Sequence, residues 1–165
     1  MIPRAFCILE VVSRDSSRGG IFMRFRQLAE NPKTYAIIFE TGDELAAGLN
    51  RFAADQKLAG SNFTAIGALS QVKLAWFDWK TKKYQPSVVF DEQVELVSLI
   101  GDVALNDGKP QVHAHIVVAR QDGTAHGGHL LEALVRPTCE VILTENSRHM
   151  QKQLDPESGL ALIRP

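Results

Sequence analysis

Apolar and β-branched residues alternate with polar ones along most of the chain after residue 61, which is the pattern of half-buried β-strands. Short turn sequences separate these runs. The clearest turns are Asn106-Asp107-Gly108-Lys109, a two-residue Asp-Gly hairpin loop, and Gln121-Asp122-Gly123. The pattern predicts strands over residues 62–69, 71–79, 84–90, 92–105, 111–119 and 136–143.

A single helix is predicted earlier in the chain. Residues 33–40 form a β-branched and aromatic run that is typical of a strand. Thr41, followed three residues later by Glu44, matches the capping box that begins a helix. Gly60 stands where a left-handed C-terminal cap would end it. The apolar residues that recur at helical spacing between these points are Leu45, Leu49, Phe52 and Ala53.

One early helix followed by six strands with mostly short turns predicts an α+β domain. In this fold a mainly antiparallel sheet carries the one principal helix packed on a face. Residues 1–20 end in a polar run with paired glycines and are predicted to be a flexible leader, while residues 21–150 form the single domain. A short helix through His149 fits the following stretch, and residues 151–165 are predicted to be a loose tail.

Length and charge limit the kinds of function that the chain is expected to have. A chain of 165 residues suits one domain with a proper core. With 18 Lys plus Arg against 19 Asp plus Glu, the formal net charge of −1 gives no long-range attraction to DNA. No run approaches the roughly twenty apolar residues of a membrane span, so no membrane partner is expected. Cys7 and Cys139 lack metal-site spacing and no export signal is visible, which favours a cytoplasmic location.

Three histidines carry the candidate chemistry. His113 and His115 are two apart in a predicted strand, so both imidazoles should lie on one face. His129 follows Gly127 and Gly128, whose permissive backbone would turn its ring inward. Zinc and similar divalent metals bind three neutral imidazoles readily and leave a fourth position for water. The alternative interpretation is a polar cluster hydrogen-bonded to backbone carbonyls.

Glu95 is the fourth candidate, since its carboxylate stands in an otherwise apolar predicted strand. It is a candidate to accept a hydrogen bond from an imidazole N–H or to act as a general base beside a metal-bound water. The alternative is a partly exposed carboxylate paired with a Lys or Arg of an adjacent strand. Strand alternation alone does not choose between these two interpretations.

Five short motifs follow one another in the second half of the predicted fold. They are Phe-Thr-Ala-Ile-Gly-Ala-Leu at 63–69, Trp-Phe-Asp at 76–78, Glu-Leu-Val-Ser-Leu-Ile-Gly at 95–101, His-Ala-His at 113–115 and Gly-Gly-His-Leu at 127–130. In order and spacing they resemble the PPC domain, the "plants and prokaryotes conserved" family, over about residues 33–144. In plants this domain accompanies an AT-hook in nuclear DNA-binding proteins, and in bacteria and archaea it usually stands alone. The resemblance implies an α+β subunit that assembles as a homotrimer.

The 165 residues contain no Arg-Gly-Arg-Pro AT-hook. Because the net charge does not favour DNA either, the DNA binding of the plant proteins is not expected here. We predict a stand-alone, homotrimeric PPC-like protein that binds a divalent metal, zinc first, through His113, His115 and His129. Its expected role is a regulatory or ligand-binding module with a small-molecule ligand. Two further functions stay open, a DNA-associated transcriptional regulator and a metal-dependent enzyme with an intersubunit active site.

Overall fold

A computed structural model describes residues 10–11 and 23–164. The predicted leader, residues 1–20, lies outside the described residues except for a two-residue strand. The described elements are β1 (Glu10–Val11), β2 (Met23–Glu30), β3 (Lys33–Glu40), α1 (Leu45–Asp55), β4 (Gly60–Asp78), β5 (Lys83–Phe90), β6 (Val94–Asn106), β7 (Lys109–Ala119), β8 (Ala125–Glu145), β9 (Gln151–Leu154) and β10 (Ala161–Arg164).

All ten described strands belong to one sheet, in the order β1-β2-β3-β8-β4-β6-β9-β10. The strand β5 pairs with β4, and β7 pairs with both β6 and β8. Every described pairing is antiparallel except one, in which β6 meets β9 in parallel at Leu105 and Gln151. The predicted α+β class and the mainly antiparallel sheet are therefore confirmed. Because β4, β6, β7 and β8 pair in a closed cycle, distant parts of the chain share one face.

The helix begins three residues later than the capping box predicts. Glu44 is the N-cap, and its carboxylate accepts hydrogen bonds from the amides of Ala46 (3.2 Å) and Ala47 (2.5 Å). The predicted cap, Thr41, instead donates its hydroxyl to the Pro137 carbonyl at 3.3 Å. A Glu44 oxygen also accepts from the Ala133 amide at 2.8 Å, so the same carboxylate that caps the helix joins it to β8.

The predicted C-terminal cap is also wrong. The helix ends at Asp55, and the left-handed position after it is taken by Lys57 with φ 53°, while Gly60 already begins β4. The apolar face predicted for the helix is confirmed, because Leu45, Leu49, Phe52 and Ala53 are all buried. None of the described helices has the length and apolar character that a bilayer crossing requires.

The core lies between α1 and the inner face of the sheet. Three aromatic rings join the helix to β2 and β3, with Phe52 5.0 Å from Phe25 and 5.2 Å from Tyr35, both edge to face. Cys139 is fully buried at the centre of β8, paired across to Phe39 of β3 and Gly67 of β4. Burial raises the pKa of the Cys139 thiol to about 12.

Several predicted strand boundaries differ from the structure. Residues 62–69 and 71–79 form one continuous strand, β4, whose register shifts mark the point where two strands were predicted. The strand β8 begins at Ala125 rather than at 136 and runs for 21 residues. The strand β2, which supplies Phe25 to the core, had no counterpart in the predicted elements.

The end of the chain forms a hairpin of β9 and β10 instead of the predicted helix through His149. Its loop is held by Asp155, whose carboxylate accepts bonds from the Ser158 amide (2.9 Å) and hydroxyl (2.7 Å). Arg164 pairs with the same carboxylate at 3.0 Å. Because β9 meets β6, this hairpin lies beside the outer face of the sheet, where the histidines are found.

Candidate metal centre

The structure brings the three predicted histidines together on the outer face of the sheet. His113 and His115 alternate along β7 with the buried core residues Ala114 and Ile116, so both imidazoles point away from the core. Pairing of β7 with β8 sets His129 directly across from His115. The ring centroids are 5.0–5.6 Å apart, and one ligand atom from each residue lies within 4.8 Å of the other two.

The donor set fits a divalent metal such as zinc. Two ring nitrogens, Nε2 of His113 and Nδ1 of His129, are buried without a hydrogen-bond partner in the part of the chain that the structure describes. Buried polar atoms normally have a partner, and a cation would supply one for both. Nitrogens around a tetrahedral zinc at 2.0–2.1 Å lie about 3.4 Å from each other, so the rings need to close by about an ångström.

Asp102 supports the first histidine. It lies opposite His113 in the β6–β7 pair, with its Oδ2 3.7 Å from the His113 Nδ1. At 3.7 Å this is an ion-pair contact rather than a hydrogen bond, and a small shift of either side chain would give the carboxylate–histidine hydrogen bond that is usual for metal-binding histidines. The sequence analysis did not single out Asp102. The signal was present, because Asn106 and Lys109 pair at the hairpin, and moving four residues away from the loop on each strand brings Asp102 opposite His113.

Tyr84 supports the third histidine. The phenol ring of this β5 residue stacks on the imidazole of His129, with the centroids 4.0 Å apart and the planes at 22°. Burial raises the pKa of the Tyr84 hydroxyl. The neutral phenol therefore holds the His129 ring in place without adding charge to the site.

The electrostatics favour neutral imidazoles. Burial, followed by the charges of His113, His115 and Lys152, lowers the pKa of His129 to about 4. Burial and the neighbouring His113 also lower the pKa of His115, and Asp102 opposes this shift. Metals bind the unprotonated ring, so the site is prepared for a cation at neutral pH.

A cavity of about 210 Å³ opens beside two of the histidines. The β9–β10 hairpin forms one wall, and β6 and β7 form the other. Its lining residues are Tyr84, Asp102, His113, His129, Lys152, Leu160, Ala161, Leu162 and Ile163. A metal held by the three rings would therefore lie beside a partly open cavity.

Gly127 and Gly128 do not form the turn that the sequence predicts before His129. Both lie within β8, and neither adopts a positive φ. A Cβ atom on Gly128 would lie 2.8 Å from the carbonyl oxygen of Ala75 in β4. The close approach of the two strands beside His129, rather than a left-handed turn, requires glycine there.

The structure does not bring Glu95 to the histidines of its own chain. Glu95 is exposed on β6, five residues before Ile100, which pairs with His115. It lines a separate open cavity of about 620 Å³ together with Gln93 and Glu140. Within one chain, Asp102 is the carboxylate that lies beside an imidazole. The expected ion pair with Lys or Arg is also absent for Glu95 within the described residues.

Sequence comparisons link the chain to a known family. A family model for the Plants and Prokaryotes Conserved (PCC) domain matches residues 26–147. The chain is also 34% identical over 130 residues to the Bifunctional protein GlmU of Synechococcus sp. (strain JA-3-3Ab), with 77% of the chain in the match. It spans only 20% of that relative's length.

Solved structures share the fold. A plant- and prokaryote-conserved (PPC) protein of Pyrococcus horikoshii is 32% identical with a TM-score of 0.74, covering 80% of this chain and 91% of that one. A candidate DNA-binding protein of Bacteroides thetaiotaomicron is 26% identical with a TM-score of 0.78, covering 85% and 96%. A metal-containing protein of Archaeoglobus fulgidus is 23% identical with a TM-score of 0.72, covering 98% and 99%, and this likeness concerns the fold alone.

Proposed function

The chain belongs to the Plants and Prokaryotes Conserved domain family, and we propose that it is a metal-binding module. In this proposal His113, His115 and His129 hold one divalent ion, with zinc as the first candidate. The observation that carries the proposal is the convergence of three ligand atoms within 4.8 Å. The two unpartnered ring nitrogens add support, since buried nitrogens need a partner and none of the described residues supplies one. The Archaeoglobus protein of the same fold is described as metal-containing, which agrees with the proposal.

The chain's own residues would prepare this ion for ligand binding. Asp102 would hold the His113 ring in the orientation that exposes Nε2, and Tyr84 would hold His129. Three neutral imidazoles leave the ion its full positive charge. A bound zinc supplies Lewis-acid chemistry, polarising a carbonyl or phosphoryl oxygen or lowering the pKa of a water.

The proposal includes assembly as a homotrimer through the outer face of the sheet. Cross-strand pairing aligns Ile142, Thr64, Ile100 and His115 in a row across four strands, which we call the transverse row. Ile142 and Ile100 are 47% and 63% exposed, and Ile66 nearby is 62% exposed. Large apolar side chains exposed together are typical of a surface that another protein covers.

A second copy of the chain is the partner that best suits this row. Its last member, His115, is both exposed and one of the three candidate ligands. A neighbouring protomer on the row would therefore border the metal site and shield it from water. Metal binding would then favour the assembled state by linkage. Light scattering that finds a monomer at micromolar concentration, with metal bound, would contradict this part of the proposal.

A binding or regulatory role fits the site best, and a metal-dependent enzyme is the second candidate. The enzyme is favoured by the partly open cavity of about 210 Å³ beside the three histidines, because three protein ligands would leave a metal one position for water or substrate. DNA association, suggested by the description of the Bacteroides protein, has less support. The net charge of −1 provides no long-range attraction to a phosphate backbone.

Elemental analysis of protein purified without added metal tests the metal site. We expect about one equivalent of zinc per chain in the wild type and little in His113→Ala or His129→Ala, because open zinc sites use three protein ligands and each variant keeps only two. His149→Ala, a change at an exposed histidine outside the cluster, is the matched control and should keep its metal. Equal metal contents in all four proteins would overturn the proposal.

A further inference from the structure

Lys152 is a buried cation in the wall of the cavity. Its side chain is only 5% exposed, although lysine is normally among the most exposed residues. The strand β9 places it there by meeting β6 at Leu105 and Gln151. It lines the same cavity as His113 and His129.

The ammonium group of Lys152 has no hydrogen-bond partner among the described residues. It forms an ion pair with Asp102, whose Oδ1 lies 4.0 Å away, too far for a hydrogen bond, and this oxygen makes no hydrogen bond among the described residues. The other oxygen of that carboxylate faces His113. An ammonium carries three donors and is costly to bury without acceptors. An anionic group in the cavity would give the ammonium a closer acceptor than the Asp102 oxygen at 4.0 Å, the nearest one among the described residues.

Charge and shape together define the ligand class. With a divalent ion on three neutral imidazoles, the charges of Lys152 and Asp102 cancel and the cavity keeps the net positive charge of the metal. The hairpin wall that carries Lys152 is otherwise apolar, with Leu160, Leu162 and Ile163 among its lining residues. The volume of about 210 Å³ is below that of pockets for drug-sized ligands, which begin at about 300 Å³.

We propose that this cavity binds a small monocarboxylic acid with a short apolar body. One carboxylate oxygen would take the open position on the metal, and the other would accept a hydrogen bond from Lys152. The aliphatic part would pack against Leu160 and against Ile163, which pairs with Lys152 and so shares its face of the hairpin. This inference rests on the proposed metal site, because the metal would bind one of the two carboxylate oxygens.

Calorimetric titration of the zinc-loaded protein with butyrate tests the inference, with butyramide as the uncharged analogue of the same shape. We expect butyrate to bind and butyramide to bind at least tenfold more weakly. Lys152→Met should weaken butyrate about 10- to 100-fold, the cost of losing a hydrogen bond to a charged group. Lys152→Arg should retain much of the affinity because it keeps a cationic donor, and Lys109→Met, at an exposed lysine of β7, should behave as wild type.

The outcomes separate the two proposals. Zinc content is measured on every sample before titration, so a wild type without zinc overturns both the metal site and this inference. If zinc-loaded protein does not bind butyrate, or binds butyramide equally well, this inference is wrong and the proposed metal site still stands. Equal butyrate affinity in wild type and Lys152→Met, with both folded by circular dichroism, also overturns it. Stronger binding of inorganic phosphate than of butyrate would exclude the monocarboxylate.

Discussion

Replacing Asp102 with asparagine tests whether this carboxylate prepares the metal site. The substitution keeps the size of the side chain and removes its charge. The Asp102 carboxylate is 3.7 Å from the His113 Nδ1 and only 28% exposed, so water does not readily replace it. Loss of a group that orients a metal-binding histidine typically weakens metal affinity 10- to 100-fold, or about 1.4–2.7 kcal/mol.

The assay is competition for zinc between the protein and a chromogenic chelator at neutral pH. Asp102→Asn should bind zinc about 10- to 100-fold more weakly than the wild type, while His113→Ala should lose much more because a ligand itself is removed. Asp107→Asn is the control, since this residue lies in the exposed β6–β7 loop at φ 49°, a conformation that asparagine tolerates. Zinc affinity in Asp102→Asn equal to that of the wild type would refute the reasoning.

Three further outcomes are expected. Ile100→Glu puts a charge on a side chain that is 63% exposed in one protomer, so it should leave the protomer folded and, by light scattering, reduce the proposed trimer to smaller species. Phe52→Ala removes a ring that is 1% exposed and should lower the free energy of unfolding by about 3–5 kcal/mol in urea titration. Ser158 bonds hold the pKa of Asp155 below 3.8, so the β9–β10 hairpin keeps this stabilisation above that pH and loses it as pH falls through the lowered pKa. NMR titration of Ser158→Ala should therefore show the Asp155 pKa move back toward 3.8.

The local patterns of the sequence predict much of the site. Alternation in β7 puts His113 and His115 on one face because the side-chain period of a strand is two. The Asp-Gly loop sets the β6–β7 register, and through it the position of Asp102. The helix was predicted from its apolar spacing, but its cap depends on Glu44 also reaching the Ala133 amide of β8, a contact between residues far apart in sequence.

The remaining parts of the site depend on long-range pairing. The first half of β8 was missed because Gly127 and Gly128 interrupt the apolar pattern, and glycine there is required by the approach of β4. Lys152 lies at the cavity because Gln151 pairs in parallel with Leu105, and no local sequence pattern predicts this pairing. Glu95 was assigned from its apolar neighbours, although its strand continues for several more residues before it reaches the histidines.

The buried position of Cys139 makes it an internal reporter of sheet opening. Thiol reagents attack the thiolate, which a pKa of about 12 makes scarce at neutral pH, and β3 and β4 flank the sulfur on both sides. In a Cys7→Ser chain it would be the single thiol, so its rate of labelling would measure how often the centre of the sheet separates. Comparing that rate with and without zinc would report how far the influence of the ion extends into the protein interior.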